Sequence, residues 1–344
     1  MPKVIHILPK TIKIWTLNIN YCLIRCIFIN FKFGFAMNRQ QSIIELLLKL
    51  APNEGYTLSI LDGVKLMRSN KYMQRMPVLY EPSIVVVLQG KKVGYLGDQI
   101  FHYDPKQFLV LSLPLPFESE TIGTAEEPML AVSIRINLSV VAELTLSLDS
   151  SNASSGLPQL GMVSTAMDDK LSDAVMRLIE VLPSFQDSHL LGASIMREIF
   201  YRVLTGSQGS AIRQALMHQS HFSKIGKALK RIHNDFAGDL DVTLLAEEAT
   251  MSVAAFHANF KALTATSPMQ YLKTTRLHKA RLHMLQDDMS ASTASRRVGY
   301  ESISQFSREF KRFFGRTPMN EVAEMKNTLI EMPAEVTAKY VTVN

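Results

Sequence analysis

The chain has 344 residues, a length that allows two domains with ordinary cores. Its formal net charge is +6, and residues 221–320 alone carry 15 Lys and Arg against 9 Asp and Glu, an excess as large as that of the whole chain. Such an excess attracts phosphate without selecting a sequence. Cys22 and Cys26 are the only cysteines, and a Cys-x-x-x-Cys pair without a nearby His is poor material for a zinc site.

Residues 1–36 fit neither domain and read as an extension. The stretch from Ile12 to Phe35 is apolar, but Lys13, Arg25, Lys32 and several Asn interrupt it, so no clean 18-residue membrane span exists. A compact apolar core followed by a small-residue cleavage site is also missing. The Ile, Asn, Phe, Lys and Tyr content is that of a translated AT-rich spacer, and Met37 opens a sensible amphipathic segment. The functional protein is therefore expected to begin at Met37, and without the two cysteines it fits a cytoplasmic protein that needs no disulfides.

From about 57 to 136 the pattern is one of short strands with turn punctuation. Ile84–Leu88 is a β-branched run, Val93–Leu96 meets a hairpin-type Gly97-Asp98, and Gln99–Tyr103 returns. Phe108–Ser112 and Met129–Ile136 follow, and strands so closely spaced suggest a small β-barrel or sandwich. His102 is the only His of the strand region, whereas a metal cupin converges several His and a carboxylate. No nucleophile elbow, phosphate-binding Gly loop or His-Glu-x-x-His is present. The strand region is thus expected to bind rather than catalyse, with no cofactor, and Tyr80, Tyr95, Phe101 and Phe117 are candidates for lining an apolar pocket. Ser147 to Gly161 reads as a loop, Asp169–Leu182 and Ser188–Leu204 as helices, and 206–220 as a linker rich in Gly and Ser, with a helical turn or two possible from Ile212 to Gln219.

Residues 242–318 carry one supersecondary pattern twice. Each copy is a short amphipathic helix, a tight turn, a capping Ser (Ser252, Ser302) and a second helix ending in Phe-Lys (Lys261, Lys311). That layout is a helix-turn-helix, whose second helix can lie in a major groove. In copy two, Ser302 and Gln305 have capping-box spacing, and Ile303, Phe306, Phe310 and Phe313 form an apolar stripe. Ser304, Gln305 and Arg308 then face outward, and Gln pairs with adenine and Arg with guanine at about 1–3 kcal/mol of discrimination each. Gly299 stands in the turn, where Thr250 stands in copy one. The outward face of copy one is Ala254, Ala255, His257 and Ala258, suited to thymine methyls and shape. Between the copies, Ser267 caps a helix with Pro268 at its first position, long enough to hold two reading helices about one DNA turn (~34 Å) apart. Its Lys273, Arg276, Lys279 and Arg281 could meet phosphates.

The run Val298-Gly-Tyr-Glu-Ser-Ile-Ser-Gln-Phe-Ser-Arg-Glu-Phe-Lys-Arg-Phe-Phe-Gly-Arg-Thr-Pro318 resembles the signature of AraC/XylS-type transcriptional regulators. The resemblance implies an all-helical, bilobed DNA-binding domain at 221–321. Its base-reading positions would be Ala254, His257 and Ala258, with Ser304, Gln305 and Arg308, and Lys261 and Lys311 complete the expected DNA-binding set. Tyr80 to Gly90 and Leu96 to Asp104 are similar to the N-terminal domain of one AraC subgroup. That implies an α+β chain: a cupin-like β-barrel with a helical pair at 43–205, for effector binding or dimerisation, followed by the double helix-turn-helix. The implied function is a sequence-specific regulator of transcription, with activator as the expected class and the direction of control not written in the residues. Its partners would be double-stranded DNA, RNA polymerase, an unidentified small-molecule effector and a second copy in a homodimer. A dimerising regulator without ligand and a cupin enzyme fused to a DNA-binding domain are the alternatives.

Overall fold

The computed structural model describes residues 39–148, 161–217 and 221–330. The expected N-terminal extension, its cysteines, most of the 147–161 loop and the end of the expected linker lie outside these residues. A helix over residues 39–50 (α1) comes first. Nine strands follow: β1 Gly55–Leu58, β2 Val64–Ser69, β3 Met73–Tyr80, β4 Ser83–Gln89, β5 Lys91–Leu96, β6 Gln99–Tyr103, β7 Gln107–Leu111, β8 Leu115–Ile122 and β9 Met129–Arg135. Helix α2 (Leu138–Ser147) and strand β10 (Met162–Ala166) close the strand-rich half.

The α+β class stands, but the strands do not close into one barrel. They form two antiparallel sheets, a six-stranded one in the order β1-β2-β9-β4-β7-β10 and a four-stranded one in the order β3-β8-β5-β6. Strand alternation explains the core between them. Val85 and Val87 of β4, Leu109 and Leu111 of β7, and Leu115 and Phe117 of β8 all point into one apolar cluster. Ser83 through Val87 are buried without a break, so both faces of β4 are covered, which is why that stretch reads as a continuous apolar run. The β5–β6 hairpin turns on Gly97-Asp98, with Leu96 paired to Gln99.

Helices α3 (Asp169–Val181) and α4 (Phe185–Thr205) are the expected helical pair, started by Asp168 and Ser184 caps. Helix α5 (Gly209–Met217) occupies most of the expected linker. Seven helices complete the described residues: α6 His221–Asn234, α7 Val242–Glu248, α8 Val253–Thr264, α9 Pro268–Gln286, α10 Ala291–Arg297, α11 Ile303–Phe314 and α12 Pro318–Ile330. No described helix is long and apolar enough to cross a membrane.

The strand-rich half meets the helical half through the loop after β7. Leu113 packs against the cores of both. The Tyr271 hydroxyl donates to the Pro114 carbonyl at 2.6 Å, and the Gly161 amide donates to the Leu263 carbonyl at 3.0 Å. His233 Nε2 lies 2.7 Å from the same Tyr271 oxygen. Since Tyr271 spends its single proton on Pro114, the imidazole is the donor in that second bond.

Candidate nucleic-acid interface

The doubled pattern is a structural repeat: the first helix and the left-handed turn residue of each copy are offset by 49 residues, and the capping Ser and second helix by 50, because the turn of copy two holds one residue more. Ser252 and Ser302 both cap with their side-chain oxygen, onto the amides of Ala255 and Gln305. Phe256 and Phe260 are fully buried in the core of the first lobe, and Phe306 and Phe310 in that of the second. Each second helix ends on a left-handed residue, Ala265 at φ +59° and Gly315 at φ +78°. Ser267-Pro268 starts α9, and Thr317-Pro318 starts α12 in the same way. The sequence reading did not single out α12, although the Thr-Pro pair that opens it was in view.

The turns differ in a telling way. Gly299 is left-handed at φ +84°, and a Cβ there would stand 2.5 Å from the Ala237 carbonyl oxygen, so only glycine fits. Thr250 takes the same hand at φ +50°, a conformation a β-branched residue rarely adopts.

Ala254, His257, Ala258 and Lys261 are exposed on α8, and Ser304, Gln305, Arg308 and Lys311 on α11. All eight expected DNA-binding residues therefore lie on the free faces of the two second helices. Ile303 was expected on the apolar stripe but is 38% exposed, because the helix begins there and its first side chain projects past the lobe core. The offset of 50 pairs Gln305 with Ala255 and Arg308 with Ala258. The two side chains of copy two with bidentate hydrogen-bonding groups thus correspond to alanines in copy one, and Ala255 is exposed alongside Ala254 and Ala258. Gln305 is steadied by Glu309, whose carboxylate accepts from Gln305 Nε2 at 3.4 Å, Tyr300 Oη at 2.9 Å and Lys273 Nζ at 3.0 Å. Burial pushes the Glu309 carboxyl up, but these three donors outweigh it and hold it below the ordinary range.

Two of the four α9 cations that could have met phosphates, Arg276 and Arg281, are turned into the domain instead. Arg276 donates to three carbonyls: Phe236 at 2.7 Å, Gly238 at 2.8 Å and Gly299 at 3.3 Å. It fastens the segment between α6 and α7 to the turn of copy two. Phe236 packs against the cores of both lobes, and the Lys279 ammonium lies 5.6 Å from its ring centre. Arg281 is buried between Glu321 at 3.2 Å, His278 Nδ1 at 3.3 Å and the Phe314 ring. Burial, with the Arg281 charge adding to it, drives His278 well below the ordinary histidine value, so its neutral imidazole accepts from the guanidinium. Sequence spacing marked these cations; it could not reveal that they face inward.

Two family profiles match the chain. One, an AraC-type transcriptional regulator N-terminus, covers residues 60–211, and the other, a helix-turn-helix domain, covers residues 245–321. The chain belongs to the AraC-type transcriptional regulators. It is 26% identical over 145 residues to the HTH-type transcriptional activator RhaS of Escherichia coli O139:H28 (strain E24377A / ETEC), which is 42% of this chain and 51% of RhaS. It thus spans about half the length of the curated relatives it matches. Its fold resembles that of ToxT from Vibrio cholerae strain SCE256, in a crystal structure with bound unsaturated fatty acid. The TM-score is 0.55 at 12% identity, over 78% of this chain and 96% of ToxT. ToxT from Vibrio cholerae O395 bound to (E)-4-(8-methylnaphthalen-1-yl)but-3-enoic acid gives 0.53 at 10% identity, over 78% and 99%.

In this AraC-type chain the four expected pocket residues part company. Tyr80, Phe101 and Phe117 belong to the cluster between the sheets, with Tyr80 edge-on to Phe117 at 5.0 Å. Tyr95 faces the other way, donating to Glu120 at 2.6 Å under the Arg75 guanidinium. His102 is exposed.

Proposed function

We propose that this chain is a sequence-specific, DNA-binding transcriptional regulator, with α8 and α11 entering successive major grooves. The carrying observation is the repeat of the second helices at 50 residues, which fills two lobe cores with phenylalanines and leaves both second helices a free outward face. Nineteen residues of α9 span about 28 Å at 1.5 Å each, a separation suited to grooves about one turn apart. Gln305 and Arg308 read base edges, Ser304, Lys261 and Lys311 add polar and phosphate contacts, and Ala254, Ala258 and His257 follow shape and methyl groups. The sheet domain takes a small-molecule effector, and its role is binding rather than catalysis. Exposed Phe185, Leu190 and Leu191 on α4 favour a homodimer, and the bound protein acts on RNA polymerase as an activator in the cytoplasm.

Selection of bound duplexes from a random pool by the full chain tests this reading. Enrichment of one bipartite sequence is expected, with half-sites about one turn apart. Binding that ignores sequence and vanishes uniformly with salt would refute it.

A further inference from the structure

Lys92 lies on the inward face of β5 and is 6% exposed. Its register partners are Thr121 on β8 and Tyr103 on β6. The ammonium donates to Thr121 Oγ1 at 2.6 Å, which uses one of its three donors. Among the described residues no Asp or Glu pairs with it, and Glu321, in the helical half, is the only buried acid. Hydroxyls gather on the same inner surface. The Tyr103 and Ser119 oxygens are 3.3 Å apart, and Tyr56 and Tyr80 are 3.2 Å apart. Around them pack aliphatic, aromatic and methionine side chains.

A buried cation with no counter-charge opposes folding, and an apolar side chain of the same length would fill its place without that penalty. Burial alone depresses the amine to about 8, so the ammonium still predominates at neutral pH. One positive charge among neutral hydroxyl donors matches a monoanion. A phosphate dianion would need a second cation, and the interior has none among the described residues. A groove lies on the flank of the same interior. It is open, measures about 520 Å³ between the free edges β6 and β10, and its lining residues Phe101 and Met162 also belong to the interior cluster.

We propose that Lys92 anchors an anion site inside the sheet domain, taking the carboxylate of a small organic acid beside Thr121. The site deepens the reading of this domain as the effector-binding half and rests on it. The test is thermal melting of the full chain at pH 7 in constant chloride, with acetate, benzoate and octanoate, against benzyl alcohol and octanol as uncharged controls. At least one acid raises the melting temperature of the wild type, by mass action, and its uncharged counterpart does not. Lys92→Met melts higher than the wild type without acid and binds the same acid at least tenfold more weakly. Thr121→Val, which removes only the hydroxyl, weakens the acid in the same direction and covers the case of a Lys92→Met chain that does not fold. No response to any acid, or an equal response in Lys92→Met or in Thr121→Val, overturns the proposal. Duplex binding by the acid-free wild type is measured in parallel. Its loss would count against the regulator reading and leave the thermal result to judge Lys92.

Discussion

Replacing Gly299 by Ala tests the idea that the two turns share a left-handed residue but carry unequal strain. At φ +84° an L-residue is disfavoured by about 1–2 kcal/mol. The new methyl would also meet the Ala237 carbonyl oxygen at 2.5 Å, its carbon at 3.1 Å and Cα at 3.2 Å, all backbone atoms that cannot rotate away. Forcing that backbone aside adds about 1–3 kcal/mol, as overpacking does elsewhere, so the total loss is about 2–5 kcal/mol. The displaced segment is the one Arg276 fastens, so the second lobe loosens against the first. Thr250→Gly is the mirror experiment. It relieves about 1–2 kcal/mol of left-handed strain and gives back about 0.5–1 kcal/mol in unfolded-chain entropy, a net gain of up to about 1.5 kcal/mol. Urea titration of the helical circular dichroism signal measures both. A Gly299→Ala chain within about 0.5 kcal/mol of wild type, the usual range of inert surface changes, would refute the reasoning.

Arg308→Ala should lower discrimination at one base pair of the second half-site by about 1–3 kcal/mol in competition anisotropy; equal weakening on all sequences would make it a phosphate contact. Arg276→Met leaves three carbonyls with one fewer donor and should cost about 2–4 kcal/mol of stability at this half-buried site, and Arg276→Lys should not restore it, since one ammonium cannot reproduce the fork. Tyr271→Phe removes the bond to Pro114 and leaves the His233 donor unpartnered, a loss of about 1–3 kcal/mol visible in the same urea titration. For Lys92, the folded amine titrates at about 8 against an ordinary 10.5. The unfolded chain therefore holds the extra proton between those values, and stability rises with pH across that window. The Lys92→Met advantage, about 3 kcal/mol below pH 8, should shrink towards pH 10; the facing Tyr56, Tyr80 and Tyr103 hydroxyls, all raised by burial, act only above that. Parallel profiles for mutant and wild type would contradict this.

Local signals on the chain determined the reading elements. Ser252, Ser267 and Ser302 cap because a hydroxyl at that position meets a free amide one turn on, whatever lies beyond. Phe256, Phe260, Phe306 and Phe310 fall on one stripe by helical geometry alone, and the outward alanines, Gln305 and Arg308 follow from it. The Gly97-Asp98 hairpin was legible for the same reason. Tertiary structure decided what depends on neighbours distant in sequence. Whether ten strands close into one barrel or split into two sheets is a matter of edge pairing, which alternation does not encode. Strand β10 became a strand by pairing with β7, and helix α5 begins at Gly209, ahead of the turn or two that the linker sequence allowed from Ile212. Charge was the least legible property. Arg276 and Arg281 looked like phosphate ligands because a sequence gives the sign of a side chain and not its direction. Folding turned both inward, onto carbonyls and Glu321, and set Lys92 inside the sheets, where desolvation changes what a positive charge can do.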